Sequence, residues 1–437
     1  MFKTMHEVEV FFEQRKNHGI KPGLSRVNQL LEGVDHPEKK VAAIHVAGTN
    51  GKGSTIHYLK NALIHNNYKV GVFSSPSLDG LIGHIDYNNT PIPEMEFIHL
   101  LNEMYPVIIL LDDANNHPTE FEIITVLAFL YFAEHVEIAI IEAGMGGRQD
   151  TTNCFKPILS IITNVDKEHT HFLGQEITDI AHQKAGIIKN RVPVIIGDVQ
   201  LAAEAVIRQE AINNDAQLYQ LQKDFIYTDI KEINDNQTFQ WKGSKDEDFL
   251  MRIKMAGEHQ IKNSSIAMMA LVLLKKMAFT IDWNQALSGI SVTKVQGRFE
   301  MIQQDPIIIV DGAHNPASMK VFLETVKITY KQKEKHLIFA AFKDKEIAVM
   351  IQQLLPYFTT ITVTTFAHPR AATVEELREM IGSKAIRIES DWQQLLDRLN
   401  DNDQGTENHY FITGSLSFIG EVRRYIGRRT DVNKNRD

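Results

Sequence analysis

The chain has 437 residues, 43% of them hydrophobic and 23% charged, with a formal net charge of −9. That balance fits a globular protein of two or three domains and argues against a general nucleic-acid binder, whose footprint is basic. The single Cys154 excludes an internal disulfide, Met1–Ile20 lacks the apolar stretch of a secretion signal, and no apolar run reaches the roughly 18 residues of a membrane span. A cytoplasmic location is expected, with no membrane and no nucleic acid among the partners.

Met5–Arg15 carries apolar residues at helical spacing, and Ser25–Leu31 begins a second helix. Val41–Val46 is a short apolar run of the kind that forms a buried strand. It stops at Gly48, and a helix-like segment, Thr55–Ile64, follows the intervening loop. Lys69–Val72 reads as the next strand, Ser77–Pro93 as a polar loop punctuated by glycine, asparagine and proline, and Pro93–Asp112 and Thr119–Ala133 as helices. Glu137–Ala143, Pro157–Val165 and Val192–Gly197 are further apolar strands. Their alternation with helices predicts an α/β fold, a doubly wound, mainly parallel sheet with helices on both faces. Leu218–Met255 breaks the pattern: FIYTDI, QTFQWK and FLMRIKM read as short antiparallel strands with turns at Asn234–Asn236 and Gly243–Asp246. Gln260–Met277 is helical again.

A domain boundary is expected near Gln296-Gly297, giving an N-terminal domain over 1–296 and a smaller C-terminal one over 297–437. In the second, strands Ile307–Val310, Leu337–Phe342, Thr360–Thr364, Ala385–Ile388 and His409–Thr413 alternate with helices Ala317–Tyr330, Lys345–Phe358, Val374–Gly382, Trp392–Leu399 and Phe418–Arg429. That is a Rossmann-like α/β unit.

The chemistry gathers where such strands end. Gly48-Thr49-Asn50-Gly51-Lys52-Gly53-Ser54 lies between a strand and a helix. In that context backbone N–H groups and a helix N-terminus cradle a phosphate chain. Lys52 would reach the β- and γ-phosphates and the Ser54 hydroxyl a Mg²⁺ ion. The spacing departs twice from G-x-x-x-x-G-K-[ST], and an ordinary glycine turn is the alternative. Glu142, an acid at a strand end beside Gly144, Gly146 and Gly147, suits Mg²⁺; a solvated loop acid is the alternative. Ser75, before Pro76, is a hydroxyl at a strand end or a turn cap. His169 has Asp166, Glu168 and His171 nearby, as a metal ligand or as a structural histidine. Asp311 and His314 precede Asn315-Pro316, which can open a helix, and would face a ligand from the second domain. These residues describe a two-domain ATP-using enzyme of unassigned chemistry.

The motifs GTNGKGS at 48–54, SSP at 74–76, PTEFEIITVLAF at 118–129, IIEAGMGGRQDTTN at 140–153, EHTHFLG at 168–174, KAGIIK at 184–189, GEHQIKN at 257–263, GRFE at 297–300 and DGAHNP at 311–316, in this order and spacing, resemble the Mur ligase superfamily. The resemblance is closest to its folylpolyglutamate synthase/dihydrofolate synthase branch and runs from the first helix to about Arg424. It implies ATP-dependent addition of L-glutamate to a folate, and to dihydropteroate as a further acceptor, through an acyl phosphate. It also implies that Lys52 and the loop hold the phosphates, that Ser54 and Glu142 hold one Mg²⁺, and that Ser75, Glu142 and His169 hold a second. Lys184 corresponds to a lysine that is carbamylated in the family. Asn263, Arg298 and Asp311 match positions that reach ATP, and His314 one near the γ-phosphate. Arg298 and Asp311 lie in the second domain, so a closing cleft is expected. A monovalent cation is a further expected cofactor, and a monomer the expected assembly.

The substrate loop departs from the family pattern in two places, and Gln149, where leucine is common, is a smaller change. Ser77 stands where a histidine is common, and Leu81-Ile82-Gly83-His84-Ile85 replaces an Asn-Glu-Arg-Ile element. Leu78, Leu81, Ile82 and Ile85 are expected to wall the pterin end of the substrate from a mobile loop, Ser77–Asn89, with pinning of the loop to helix Glu94–Asp112 as the alternative. Two other function classes stay open, a Mur-type ligase for a cell-wall UDP-sugar peptide and a non-catalytic nucleotide-binding regulator. The short stretch before the glycine loop disfavours the first, and retention of Lys52, Glu142, His169, Lys184 and His314 the second.

Overall fold

Strand β1, Ala43–Ala47, is buried at every residue, as an apolar run flanked by strands on both sides must be. It lies inside the main sheet of the first of two units. The computed structural model describes residues 1–15, 19, 21–77, 80–233, 236–243, 247–331, 334–381, 386–402 and 408–434. The chain divides into Met1–Lys254 with Glu258–Thr293, and Met255–Gly257 with Lys294–Asp437. Among the described residues no helix is long and apolar enough to cross a membrane.

The first unit adds β2 (Val70–Phe73), β3 (Ile85–Tyr87), β4 (Thr90–Pro91), β5 (Ile138–Glu142), β6 (Leu159–Asn164), β7 (Val194–Asp198) and β8 (Leu218–Gln220). Together with β1 they run in the order β4-β3-β2-β5-β1-β6-β7-β8. Strands β2, β5, β1, β6, β7 and β8 are parallel. One core cluster gathers the helices Met5–Arg15, Ser25–Gly33, Glu94–Asp113 and Glu120–His135; another gathers Ile177–Ala185 and Leu201–Asn213. Helix Glu120–His135 starts where Thr119 and Glu122 close a capping box. The buried Glu122 also pairs with Arg26 at 2.9 Å, which answers its charge. A separate antiparallel sheet, β9 (Ile226–Ile233), β10 (Asn236–Lys242) and β11 (Asp248–Ile253), matches the three expected strands. Parts of its two expected turns, 234–235 and 244–246, lie outside the described residues.

Three features differ from expectation. Leu218–Gln220 joins the main sheet beside β7 instead of the antiparallel set. Helix Trp283–Val292, capped by Asp282, was not anticipated. The stretch read as a loop, Ser77–Pro93, holds the hairpin β3–β4, which extends the sheet antiparallel to β2. Its strands are too short for a period-2 pattern to show. Ile85 is fully buried in the core, and Leu81 and Ile82 pack against the same cluster. That packing favours the alternative, a segment pinned to the core that includes helix Glu94–Asp113, with Leu81 and Ile82 still partly exposed. Leu78 lies outside the described residues. Leu81→Asp and Ile82→Asp are therefore expected to lower unfolding free energy by about 1–3 kcal/mol. The KM values for ATP and acceptor should change about equally, which denaturant titration and steady-state kinetics check.

The second unit holds β12 (Glu300–Gln304), β13 (Ile307–Asp311), β14 (Glu334–Phe339), β15 (Thr360–Thr364), β16 (Arg387–Glu389) and β17 (Asn408–Thr413), in the order β12-β13-β17-β14-β15-β16. All are parallel except β12, an unanticipated strand antiparallel to β13. Two core clusters share the inner strands of this sheet, as a doubly wound unit requires.

Candidate active site

Four adjacent parallel strands, β2-β5-β1-β6, end together at one edge of the first sheet. The register pairs Phe73 with Ile141, Val46 with Glu142, and Ala47 with Ile162. Ser75, Glu142, the glycine loop and the 165–169 segment therefore leave the sheet side by side, where open α/β sheets bind ligands.

The glycine loop is shaped by what surrounds it. A Cβ on Gly48 would come within 1.9 Å of Thr163 Oγ1, and one on Gly51, at φ +84°, within 2.5 Å of Asn263 Oδ1. Both positions thus need glycine. A Cβ on Gly53 would meet no protein atom within 4 Å, so the chain's own packing leaves space open beside the first helical turn. The helix runs Lys52–His65 with Gly51 as its cap. Its first N–H groups have no partner within the helix and, with the helix dipole, favour an anion.

The loop is braced from β6. Asn50 N–H donates to Asn164 Oδ1 at 2.7 Å, and Thr163 Oγ1 donates to the Asn50 carbonyl at 2.6 Å. Thr49 Oγ1 donates to the Asp166 carbonyl, and the Asp166 N–H points back at Thr49 Oγ1, both at 3.1 Å. Asp166, expected near His169, accepts from Asn164 Nδ2 at 2.8 Å and belongs to this brace. Burial raises its carboxyl above the usual range, against the pull of Lys184.

Lys52 Nζ donates to the Gly48 carbonyl at 2.9 Å and lies 3.9 Å from Glu142 Oε1. Ser75 N–H donates to Glu142 Oε2 at 3.4 Å. The structure thus brings Lys52, Ser75 and Glu142 together. Ser54 is buried in the same first turn. His169 stands after β6, on the opposite side of β1 from Glu142. It has φ +50°, with Nε2 3.8 Å from Glu168 Oε1. Among the described residues no group of three or more His, Cys, Asp or Glu gathers as a metal cage. One buried carboxylate, seryl oxygens and an open phosphate cradle still fit Mg²⁺, which is commonly held by one or two carboxylates plus substrate phosphates.

Lys184 is buried on helix Ile177–Ala185. That helix is locked to the loop after β5: Arg148 N–H donates to the Gln183 carbonyl at 2.6 Å, and a Cβ on Gly186 would overlap Arg148. Burial, then the neighbouring charge of Lys52, pushes the Lys184 amine down to about 7, against Glu168, Asp166 and Asp150. An exposed helix lysine, its plainer reading, is excluded by this burial.

Sequence reasoning gave no role to Asp150, Thr152 and His45. Thr152 Oγ1 donates to Asp150 Oδ1 at 2.5 Å and lies 2.9 Å from His45 Nε2, while Met145 N–H donates to Asp150 Oδ2 at 2.7 Å. This buried chain shapes the loop that follows Glu142. Burial drives the His45 imidazole down to about 3, so it is neutral. The aspartate and threonines of QDTTN were visible as a motif, but nothing local links them to a histidine on β1.

In the second unit Asp311 ends β13 and accepts N–H bonds from Phe299 and Ala313 at 2.9 and 2.8 Å. Burial raises its carboxyl, and the adjacent Arg298 opposes this. His314 Nδ1 donates to the Gly312 carbonyl at 2.8 Å, which fixes Nδ1 as a protonated ring nitrogen. Asn315 caps helix Pro316–Thr329, with Pro316 in its first turn, as the sequence implied. Asn263, against Gly51, lies in the first unit.

Residues 46–271 match the Mur ligase middle domain and residues 297–416 the Mur ligase glutamate ligase domain. The chain is 35% identical over 433 residues to the dihydrofolate synthase/folylpolyglutamate synthase of Bacillus subtilis, covering 98% of this chain and 100% of that one. It resembles Mycobacterium tuberculosis folylpolyglutamate synthase complexed with ADP and AMPPCP at a TM-score of 0.88 and 26% identity, over 96% of this chain and 98% of that one. An FPGS–AMPPCP–folate complex matches at a TM-score of 0.83 and 27% identity, over 97% and 99% of the two chains. With both domains of the ligase matched in order along one chain, this protein belongs to the Mur ligase family, in its folylpolyglutamate synthase/dihydrofolate synthase branch.

Proposed function

We propose that this chain is an ATP-dependent ligase that joins L-glutamate to the carboxylate of a folate, releasing ADP and phosphate, with dihydropteroate as a second acceptor. The observation that carries the reading is the braced glycine loop with Lys52 beside Glu142 at the edge of four parallel strands. The names of the relatives supply the acceptor class.

A free carboxylate is a poor acylating agent because oxide is a poor leaving group. Its oxygen attacks the γ-phosphorus of ATP, the bond to the bridging oxygen of ADP breaks, and an acyl phosphate forms. The glutamate amine then adds to the acyl carbon. The tetrahedral intermediate collapses, phosphate leaves with the C–O bond electrons, and the amine loses a proton. Lys52 is assigned to the transferring phosphoryl group, whose charge needs a positioned cation. Gly48, Thr49, Asn50, Gly51, Gly53 and Ser54 are assigned to the phosphate chain. Asn263, Arg298 and Asp311 are assigned to the nucleotide, and His314 to the γ-phosphate. Ser54 with Glu142, and Ser75 with Glu142 and His169, are assigned to two Mg²⁺ ions. When bound, these ions neutralise phosphate oxygens and the developing charge. A monovalent cation, a monomeric assembly and a cytoplasmic location complete the reading.

Lys184 is assigned to carbamylation. The reacting form is the neutral amine, which adds CO₂ and releases a proton. Its ordinary pKa of 10.5 is depressed to about 7, so the amine is neutral on the alkaline side of 7 and ammonium on the acid side. Carbamate occupancy is therefore expected to fall as pH drops through about 7. Carbon-13 NMR with labelled bicarbonate reads this directly. Lys184→Ala should lose the signal, and acetate or formate should restore part of its activity. A wild-type protein with no carbamate signal at any pH would return Lys184 to a buried structural amine. The reading as a whole is tested by phosphate release that requires ATP, folate and glutamate together. Release without glutamate would contradict it.

A further inference from the structure

The β2–β3 ladder ends at the pair Phe73 and Ile85. One residue further, Ser74 and His84 face each other and make two hydrogen bonds. Ser74 N–H donates to the His84 carbonyl at 3.1 Å, and His84 Nδ1 lies 2.8 Å from the Ser74 carbonyl oxygen. A carbonyl only accepts, so Nδ1 carries the hydrogen. The next residue along, Ser75, donates its N–H to Glu142.

The post that carries this imidazole is itself fixed. Val70 N–H donates to Asn88 Oδ1 at 2.9 Å, and Asn88 N–H donates back to the Val70 carbonyl at 3.0 Å. Lys60, buried on the helix that leaves the glycine loop, reaches Asp86 at 3.3 Å. Ile85, between Asp86 and His84, is locked in the core. His84 therefore extends the sheet's order by one residue into the segment that must present Ser75.

We propose that His84 is a positioning residue. Its imidazole holds the Ser74 carbonyl and so fixes the Ser74–Ser75 peptide, which aims Ser75 at Glu142 and at the Mg²⁺ assigned to them. This rests on the metal assignment under Proposed function. Without the imidazole, the Ser74 carbonyl loses this donor, and the Ser74–Ser75 peptide is left with the long 3.4 Å bond from Ser75 N–H to Glu142 Oε2. Partners that orient metal ligands from behind are typically worth about 10–100-fold in metal affinity. The role belongs to this chain's own sequence, since Leu81–Ile85 is the stretch that departs from the family's charged element.

The test uses the full chain and three variants. His84→Leu and His84→Ala remove the donor. His84→Asn keeps one, because its Nδ2 occupies nearly the place of imidazole Nδ1. Mg²⁺-dependent binding of AMPPCP is measured by calorimetry, and exchange of the Ser75 amide by NMR in the ligand-free protein. The leucine and alanine variants are expected to need about 10–100-fold more Mg²⁺ for the same affinity and to exchange the Ser75 amide faster. The asparagine variant is expected to restore both close to wild type. If the leucine variant does not fold, alanine against asparagine decides. Unchanged Mg²⁺ dependence and exchange without the donor, or asparagine as impaired as alanine, would overturn the inference. A wild-type protein whose AMPPCP binding ignores Mg²⁺ would instead overturn the metal assignment beneath it.

Discussion

Lys52→Ala is expected to lower kcat/KM by about 10³-fold or more while the protein stays folded. The lysine stands at the first position of the helix that follows the glycine loop, with Nζ on the Gly48 carbonyl and 3.9 Å from Glu142. Its side chain, 16% exposed, belongs to neither of the two core clusters described for its unit, so truncation leaves that apolar core intact. What it removes is the cation assigned to the transferring phosphoryl group. Steady-state kinetics, with circular dichroism and a melting curve to show the fold, measure this. Near-normal turnover in a folded Lys52→Ala protein would remove the glycine loop from the reaction.

Glu142→Gln should raise the Mg²⁺ needed for half-activation by at least about tenfold and lower maximal turnover by about 10²-fold. Glutamine keeps the size of the side chain and an oxygen that can still accept from Ser75 N–H. The negative charge that offsets both a divalent cation and Lys52 is lost. Because Glu142 is buried, a neutral amide there relieves desolvation, and the melting temperature should hardly move. A Mg²⁺ activation curve that superposes on wild type would refute the role.

The two predictions depend on residues of unequal legibility. Gly48, Gly51 and Lys52 were readable because one short segment carries strand end, loop and helix start. Each glycine then proved sterically required by Thr163 or Asn263. Glu142 was readable as an acid closing an apolar run, which became β5. The brace from Thr163, Asn164 and Asp166 was not, because it exists only when β6 lies beside β1, more than a hundred residues away. The burial of Lys184 also escaped periodicity. It accompanies the close packing of helix Ile177–Ala185 on the loop after β5, a contact made only in the fold, and only family resemblance singled the lysine out. The doubly wound parallel order follows from fully apolar strands alternating with helices. The hairpin β3–β4 and strand β12 were missed for a common reason. Both are short, edge-located and rich in polar or turn-forming residues, so their pairing is fixed by the neighbouring strand and not by their own pattern.

The central claim is glutamate transfer driven by γ-phosphoryl activation of a folate carboxylate. Its most direct test is mass spectrometry of the products formed from a reduced folate, L-glutamate, ATP and Mg²⁺, with ADP and phosphate counted in the same mixture. The predicted result is a folate heavier by one glutamyl residue, with one ADP and one phosphate per amide bond, and no product when either glutamate or Mg²⁺ is left out. An unchanged folate in the presence of ATP turnover, or AMP and pyrophosphate in place of ADP and phosphate, would contradict the account.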